Sequence, residues 1–286
     1  MSAKDPTREQ LPVTGVMRFN EALTAEVLIR FIKDEIHKIG MKRAVLGLSG
    51  GIDSALVAYL AVKALGAENV FCVLMPYKTS SRDSITDARL VTDQLKVEST
   101  TIDISPIVDA YFEKFPEANA LRRGNVMART RMIALYDQSM ARGALVLGTS
   151  NKTELLLGYG TIFGDLASAI NPIGDLYKTE VRALSRHLGV PDQVVNKRPS
   201  ADLWADQSDE ADLGFTYEQV DKLLVDLVDR RIPPEVLIER GVDEAFVRDV
   251  QERIRRSQFK RRPPIIAKVS SRSMIHDFKY LRDWGY

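Results

Sequence analysis

Cysteine is nearly missing from this chain: Cys72 is the single thiol among 286 residues. A disulfide framework or a cysteine-based zinc site within one chain is therefore excluded. Cys72 lies in the apolar run Val70-Phe-Cys-Val-Leu-Met75, which predicts a buried strand residue rather than a reactive thiol. Histidine is also scarce. His37, His187 and His276 are widely separated, so neither a histidine-rich zinc site nor a Ser-His-Asp arrangement is expected. Net charge is almost nil, because 40 Lys+Arg face 39 Asp+Glu. No global basic field argues for nucleic acid or a membrane surface. No segment approaches the roughly 18 apolar residues of a membrane span. Met1 to Gly15 is polar, contains Pro6 and Pro12, and has no apolar core of signal-peptide type. A cytoplasmic protein with a flexible N-terminal arm over residues 1–19 is expected.

What is present is an ordinary apolar share of 45% and a repeating pattern. The length allows one large α/β domain with a sizeable core, expected over residues 20–286. Asn20 to Ile39 spaces Leu23, Val27, Phe31, Ile32, Ile36 and Ile39 at helical intervals. Ala44 to Leu48 reads as a buried strand entering a tight turn, and Ala55 to Leu65 as a helix that is apolar nearly all round. Strands follow at Val70–Met75, Ser99–Ile104 and Ala144–Gly148. Helices intervene at Ser84–Leu95, Pro106–Phe115 and Val126–Met140. This alternation predicts an α/β fold with a doubly wound parallel sheet. After Asn171-Pro172 the pattern turns helical, with Lys178–Leu188, Thr216–Asp229, Glu235–Arg240 and Asp243–Ser257. Pro199 to Gly214 reads as a long surface loop, a length usually tied to function.

The chemistry concentrates in Gly47-Leu-Ser-Gly-Gly-Ile-Asp-Ser54. A strand ends, two glycines permit a tight turn, and a helix begins near Asp53. Helix N-termini offer unpaired N–H groups and a positive dipole end, and glycines let a phosphate approach the backbone. Ser49 and Ser54 add hydroxyl donors. Asp53 is out of place beside an anion unless a divalent cation bridges it to phosphate, as Mg²⁺ does. The loop has no Gly-Lys-Ser/Thr of the kinase and GTPase type, and it is not a dinucleotide Gly-x-Gly-x-x-Gly. A plain turn with a helix cap is the other reading of these residues.

This loop is similar to the Ser-Gly-Gly-x-Asp-Ser signature of the N-type ATP pyrophosphatases. Five further stretches resemble NAD synthetases within that superfamily. They are Gly124-Asn-Val-Met-Ala-Arg-Thr-Arg-Met132, Leu147-Gly-Thr-Ser-Asn-Lys-Thr-Glu154 and Asn171-Pro-Ile-Gly-Asp-Leu-Tyr-Lys178, then Pro199-Ser-Ala-Asp-Leu203 with Gln207-Ser-Asp-Glu210, and Phe259-Lys-Arg-Arg-Pro-Pro264. The resemblance runs in order from about Asn20 to Tyr286. It implies an adenine-nucleotide fold with a helical C-terminal portion, and ATP-dependent amidation of deamido-NAD⁺ by ammonia through an adenylated carboxylate. It also implies that Gly47, Leu48, Ser49, Gly50, Gly51, Ile52, Asp53 and Ser54 hold ATP together with Thr149, Lys178 and Ser200. Asp53 and Glu154 would bind Mg²⁺, and Asp53 and Lys178 would serve catalysis. Arg129, the stretch Tyr159 to Ile162, and Lys260 would contact deamido-NAD⁺ in a homodimer that holds the dinucleotide across its interface. The chain departs from the small ammonia-dependent pattern at Ile162-Phe-Gly-Asp165, at Ala169 and at Phe259, where it looks more like the synthetase domains of glutamine-dependent enzymes.

Residue chemistry agrees with that implication without requiring it. A compact ammonium such as Lys178 suits phosphate oxygens. Arg129 and Arg131 are two apart on a helix and point to different faces, so one of them is expected to face substrate; the family match selects Arg129. The basic run Phe259–Arg262 is matched by an anionic dinucleotide, and no polynucleotide track is evident elsewhere. Two other classes stay open. One is a different adenylating or amidating member of the superfamily, although a tRNA thiolase would need paired cysteines. The other is a non-catalytic nucleotide sensor, which needs neither Glu154 nor Lys178. Fewer than 45 residues precede the first strand, whereas a glutaminase domain needs about 250. Free ammonia, or ammonia from a separate glutaminase partner, is the expected nitrogen source.

Overall fold

Four short strands carry the apolar runs. β1 (Arg43–Gly47), β2 (Val70–Leu74), β3 (Glu98–Thr101) and β4 (Ala144–Val146) pair in parallel in the order β3-β2-β1-β4. The computed structural model describes residues 19–200, 209–262 and 264–274. Residues 1–18 of the expected arm, 201–208 of the acidic loop and His276 lie outside the described residues. Successive strand side chains point to opposite faces. Ala44, Leu46, Cys72 and Leu74 enter one core, while Val45, Phe71, Val73 and Val146 enter another on the reverse face. Burial on both sides explains why these strands read as unbroken apolar runs.

Helices α1 (Glu21–Lys38), α2 (Ile52–Leu65), α3 (Arg82–Leu95), α7 (Lys178–Leu188) and the short α8 (Asp192–Val195) supply the first core. On the opposite face lie α4 (Ser105–Phe112) and α5 (Ala120–Arg142). In α2 every residue from Ile52 to Ala61 except Asp53 is buried, as its all-round apolar sequence requires. The C-terminal helices α10 (Tyr217–Leu224), α11 (Pro234–Glu239) and α12 (Glu244–Arg256) form a smaller core around Tyr217, Val220, Leu237 and Val250. Leu157 of α6 (Lys152–Leu157) and Tyr177, just before α7, enter that same core. Each fully buried Val or Leu there contributes about 1.5–3 kcal/mol. Among the described residues, no helix is long and apolar enough to cross a membrane.

The structure differs from the sequence reading in several places. α1 carries two apolar stripes, and the core takes Ala25, Ile32 and Ile36; Leu23, Val27 and Phe31 stay exposed. Periodicity alone cannot say which stripe docks. α5 begins at Ala120 because Asn119 caps it, accepting from the Arg122 N–H. β3 ends at Thr101, and its residues are mostly exposed at the sheet edge. The run from Thr216 to Asp229 breaks into α10 and a π turn at Val225–Asp229. Within the expected acidic loop, Asp209–Leu213 is helical (α9).

Strand order reverses between β1 and β4, so the turns that follow them leave the same sheet edge side by side. Ligands of open parallel sheets bind at such a switch point. The turn after β1 is tightly seated: Gly50 has φ +78°, and a Cβ there would lie 2.1 Å from the Ser84 carbonyl oxygen. Gly40 has a similar φ of +73° but open space around it. Gly50→Ala should therefore lower unfolding free energy by about 3 kcal/mol, combining left-handed strain with overpacking. Gly40→Ala should cost about 1 kcal/mol, from strain alone. Urea titration of both variants checks this, and equal losses would contradict it. Burial also pushes the Cys72 thiol up to about 12. A disulfide reagent at pH 8 should leave the native thiol unlabelled and titrate it fully after denaturation.

Candidate active site

The loop after β1 closes on its own serines. The Ser49 N–H donates to Ser54 Oγ at 3.2 Å, the Gly51 N–H to Ser49 Oγ at 3.2 Å, and Ser54 Oγ donates to the Gly51 carbonyl at 3.0 Å. Gly51 caps α2 without a side-chain hydrogen bond, so the first-turn N–H groups of α2 remain available to an anion.

Beside this loop, the turn after β4 enters α6 through a capping box. Asn151 accepts from the Glu154 N–H, and the Glu154 carboxylate accepts from the Asn151 N–H. Asn151, wholly buried, also donates its amide to Asp53 Oδ1 at 2.9 Å. Lys178, the first residue of α7, points its ammonium at both acids, 2.5 Å from Asp53 Oδ2 and 3.3 Å from Glu154 Oε1. It is 2% exposed. Burial pulls its pKa down, but Asp53 and then Glu154 outweigh that and hold the ammonium above the usual lysine range. Burial pushes Glu154 well above the ordinary carboxyl range, against the pull of Lys178. Asp209 adds a third acid to the neighbourhood, its carboxylate accepting from the hydroxyls of Tyr159 and Tyr217. Lys178 thus pairs directly with two of these acids, Asp53 and Glu154, and burial raises the pKa of Asp209 as it does that of Glu154.

These groups open onto a cavity of about 560 Å³. Gly47, Leu48, Ser49, Gly51, Ile52, Asp53, Ser54, Thr149, Glu154, Tyr159, Lys178, Ser200 and Lys260 all line it. Gly50, Arg129 and Ile162 do not: Gly50 backs onto Ser84, and Arg129 donates to the Ile162 carbonyl at 3.3 Å. Arg131 lines the cavity instead, with its Nε donating to the Met75 carbonyl at 3.0 Å. A two-residue offset on a helix sends the pair to different faces, and the sequence offers no signal for which face meets this cavity. Lys260 spends two donors on the carbonyls of Gly158 and Gly160, 2.8 Å each, and so pins the turn that carries Tyr159. Asn151 and Asp209 fall inside the stretches Leu147–Glu154 and Gln207–Glu210 but are given no role there by sequence reasoning, and Asp221 is not singled out at all. The Asn151–Glu154 capping box is readable locally, whereas the partners of Asp209 and Asp221 lie on other elements. Among the described residues, no group of three or more His, Cys, Asp or Glu is arranged to hold a metal by itself.

Comparison with known proteins agrees with this geometry. The family model described as NAD synthase matches residues 24–264. An NH(3)-dependent NAD(+) synthetase of Trichlorobacter lovleyi is 56% identical over 269 residues, covering 94% of this chain and 98% of that protein. Among solved structures, the NH3-dependent NAD synthetase from Campylobacter jejuni, in complex with the nitrate ion, aligns with a TM-score of 0.75 at 37% identity, covering 87% of this chain and 100% of that one. An NMN synthetase from Francisella tularensis aligns with a TM-score of 0.78 at 31% identity, covering 87% and 99%. With the glycine-serine loop, the acid pair and the buried lysine on one sheet edge, and a family match over most of its length, this chain belongs to the NAD synthase family.

Proposed function

We infer that this protein is an ammonia-dependent ligase that converts deamido-NAD⁺ to NAD⁺, with ATP split to AMP and pyrophosphate. The observation that carries the reading is the convergence of Asp53, Glu154 and Lys178 at the mouth of an unpaired helix N-terminus. A carboxylate resists ammonia because its carbon is electron-rich and its leaving group would be oxide. One substrate carboxylate oxygen therefore attacks the α-phosphorus of ATP, and the bond to the β-phosphate oxygen breaks with its electron pair leaving on pyrophosphate. Ammonia then attacks the acyl carbon, AMP departs with the C–O electron pair, and the new amide nitrogen loses a proton.

The chain's own residues serve these steps by position and charge. The α2 N–H groups and the serine-closed loop hold phosphate oxygens, with Thr149 and Ser200 beside them on the cavity wall. Lys178 neutralises charge that gathers on the α-phosphate and the leaving pyrophosphate. Asp53 and Glu154 would hold Mg²⁺, which supplies Lewis-acid stabilisation of phosphate oxygens when bound. They fit that role, because both already present an oxygen to one cation, the Lys178 ammonium. Tyr159 and Lys260 line the side of the cavity assigned to the dinucleotide. Arg129 lies on the helix face that also carries Ile133, Tyr136 and Met140, of which Met140 is 87% exposed. An exposed apolar face of this kind marks an interface. A homodimer through α5 would set Arg129 at the boundary, where it could reach a dinucleotide held between subunits. The enzyme acts in the cytoplasm on free ammonia, or on ammonia delivered by a separate glutaminase.

Purified protein with ATP, Mg²⁺, deamido-NAD⁺ and ammonium should release AMP and NAD⁺ in equal amounts, with little turnover when glutamine replaces ammonium. Absence of deamido-NAD⁺-dependent AMP would defeat the reading; preference for nicotinate mononucleotide would move it toward the activity named for the Francisella relative. Asp53→Ala and Lys178→Ala should each lower kcat at least 100-fold, about 2.7 kcal/mol or more, while circular dichroism stays native; near-normal rates would contradict the assigned roles. Ile133→Glu combined with Met140→Glu should yield a monomer by light scattering, with KM for deamido-NAD⁺ raised at least tenfold and ATP binding retained. A dimer that persists would refute the α5 interface.

A further inference from the structure

Glu154 and Lys178 stand on different helices, α6 and α7, and the spacing between them depends on how two N-terminal turns are held together. One buried carboxylate from a third helix performs that joining. Asp221 of α10, 3% exposed, accepts from the Thr153 hydroxyl at 2.6 Å with one oxygen and from the Thr179 N–H at 2.8 Å with the other. The Thr153 hydroxyl in turn accepts from the Lys178 N–H at 3.0 Å. Thr153 directly precedes Glu154, and Thr179 directly follows Lys178. A hydroxyl has one proton to give, so the relay has a single direction: Lys178 N–H to Thr153 to Asp221. An anion at two adjoining helix N-termini also meets both dipole ends and otherwise orphaned donors. Eight residues further along the same chain segment, Asp229 repeats the pattern outside, accepting from the Lys152 ammonium at 2.8 Å and the Tyr177 hydroxyl at 3.0 Å.

We propose that Asp221 is a positioning residue for the reaction: through Thr153 and Thr179 it sets the separation of Glu154 and Lys178, so the C-terminal helical layer determines the geometry of the phosphate site without touching substrate. The inference rests on the reading above for the substrates used in its test.

The experiment compares Asp221→Asn with Val250→Ala, which loosens the same helical core from α12 and has no side-chain polar atom to join these hydrogen bonds. Asp221→Asn keeps the volume but gives up the charge and one acceptor. It should lower kcat at least 30-fold, raise the Mg²⁺ concentration for half-maximal rate at least tenfold, weaken magnesium-ATP binding in calorimetry by a similar factor, and leave KM for deamido-NAD⁺ within threefold. Val250→Ala should lower Tm while keeping kcat and the Mg²⁺ requirement within twofold. Should Asp221→Asn fail to fold, Thr153→Val, nearly isosteric and lacking the hydroxyl, should give the same kinetic pattern. Wild-type kinetics in Asp221→Asn, or in a folded Thr153→Val, or parallel losses in Val250→Ala, would overturn the proposal. A wild-type enzyme that binds magnesium-ATP yet ignores deamido-NAD⁺ would instead sink the substrate reading, with the calorimetric comparison still deciding the role of Asp221.

Discussion

The ammonium of Lys178 holds three distant stretches of chain at one point. Asp53 arrives on the first turn of α2, Glu154 on the first turn of α6, and Lys178 itself on the first turn of α7. A buried ion cluster is not cheap, since desolvating each charge costs several kcal/mol. The surroundings offset this with directed hydrogen bonds: Asn151 to Asp53, the capping box to Glu154, and the Thr153–Asp221 relay beneath Lys178. Asp53 and Glu154 face one ammonium inside the cluster, while Arg131, Lys197, Arg198 and Lys260 line the rest of the cavity.

Sheet topology is what makes this convergence possible. β1 and β4 are neighbours and run parallel, so the turns that follow them stand side by side. Gly50 then lets the loop press against Ser84, where any side chain would collide with the backbone. The opposite wall comes from the C-terminal tail. Lys260 and Arg261 donate to carbonyls between Leu155 and Gly160 and fasten the turn that carries Tyr159.

Much of this was legible in the residues. The apolar runs of β1, β2 and β4 located the parallel sheet, because burial on both faces leaves a continuous signal. The glycine-serine loop located the end of the sheet where the cavity opens. The order of motifs brought Asp53, Glu154 and Lys178 to one site. Less legible was anything that depends on which of two faces a helix presents. Leu23, Val27 and Phe31 look like a core stripe and are exposed; Arg131 rather than Arg129 borders the cavity. Both cases are settled by tertiary docking, which periodicity does not encode. Asp221 was invisible for a related reason: an acid on an amphipathic helix reads as a solvated charge until its partners, 68 and 42 residues away, are known.

Those long separations bear on how the protein comes into being. The contact from Lys178 to Asp53 spans 125 positions and that from Asn151 to Asp53 spans 98. Closing such loops is slow relative to forming local helices. During synthesis the glycine-serine loop emerges long before α7 and α10, so an early chain carries the loop yet lacks the lysine that pairs with Asp53 and the acid that joins α6 to α7. The cluster is thus complete only once α7 and α10 have joined it, and a ligand that binds only the finished site draws the folding equilibrium toward completion.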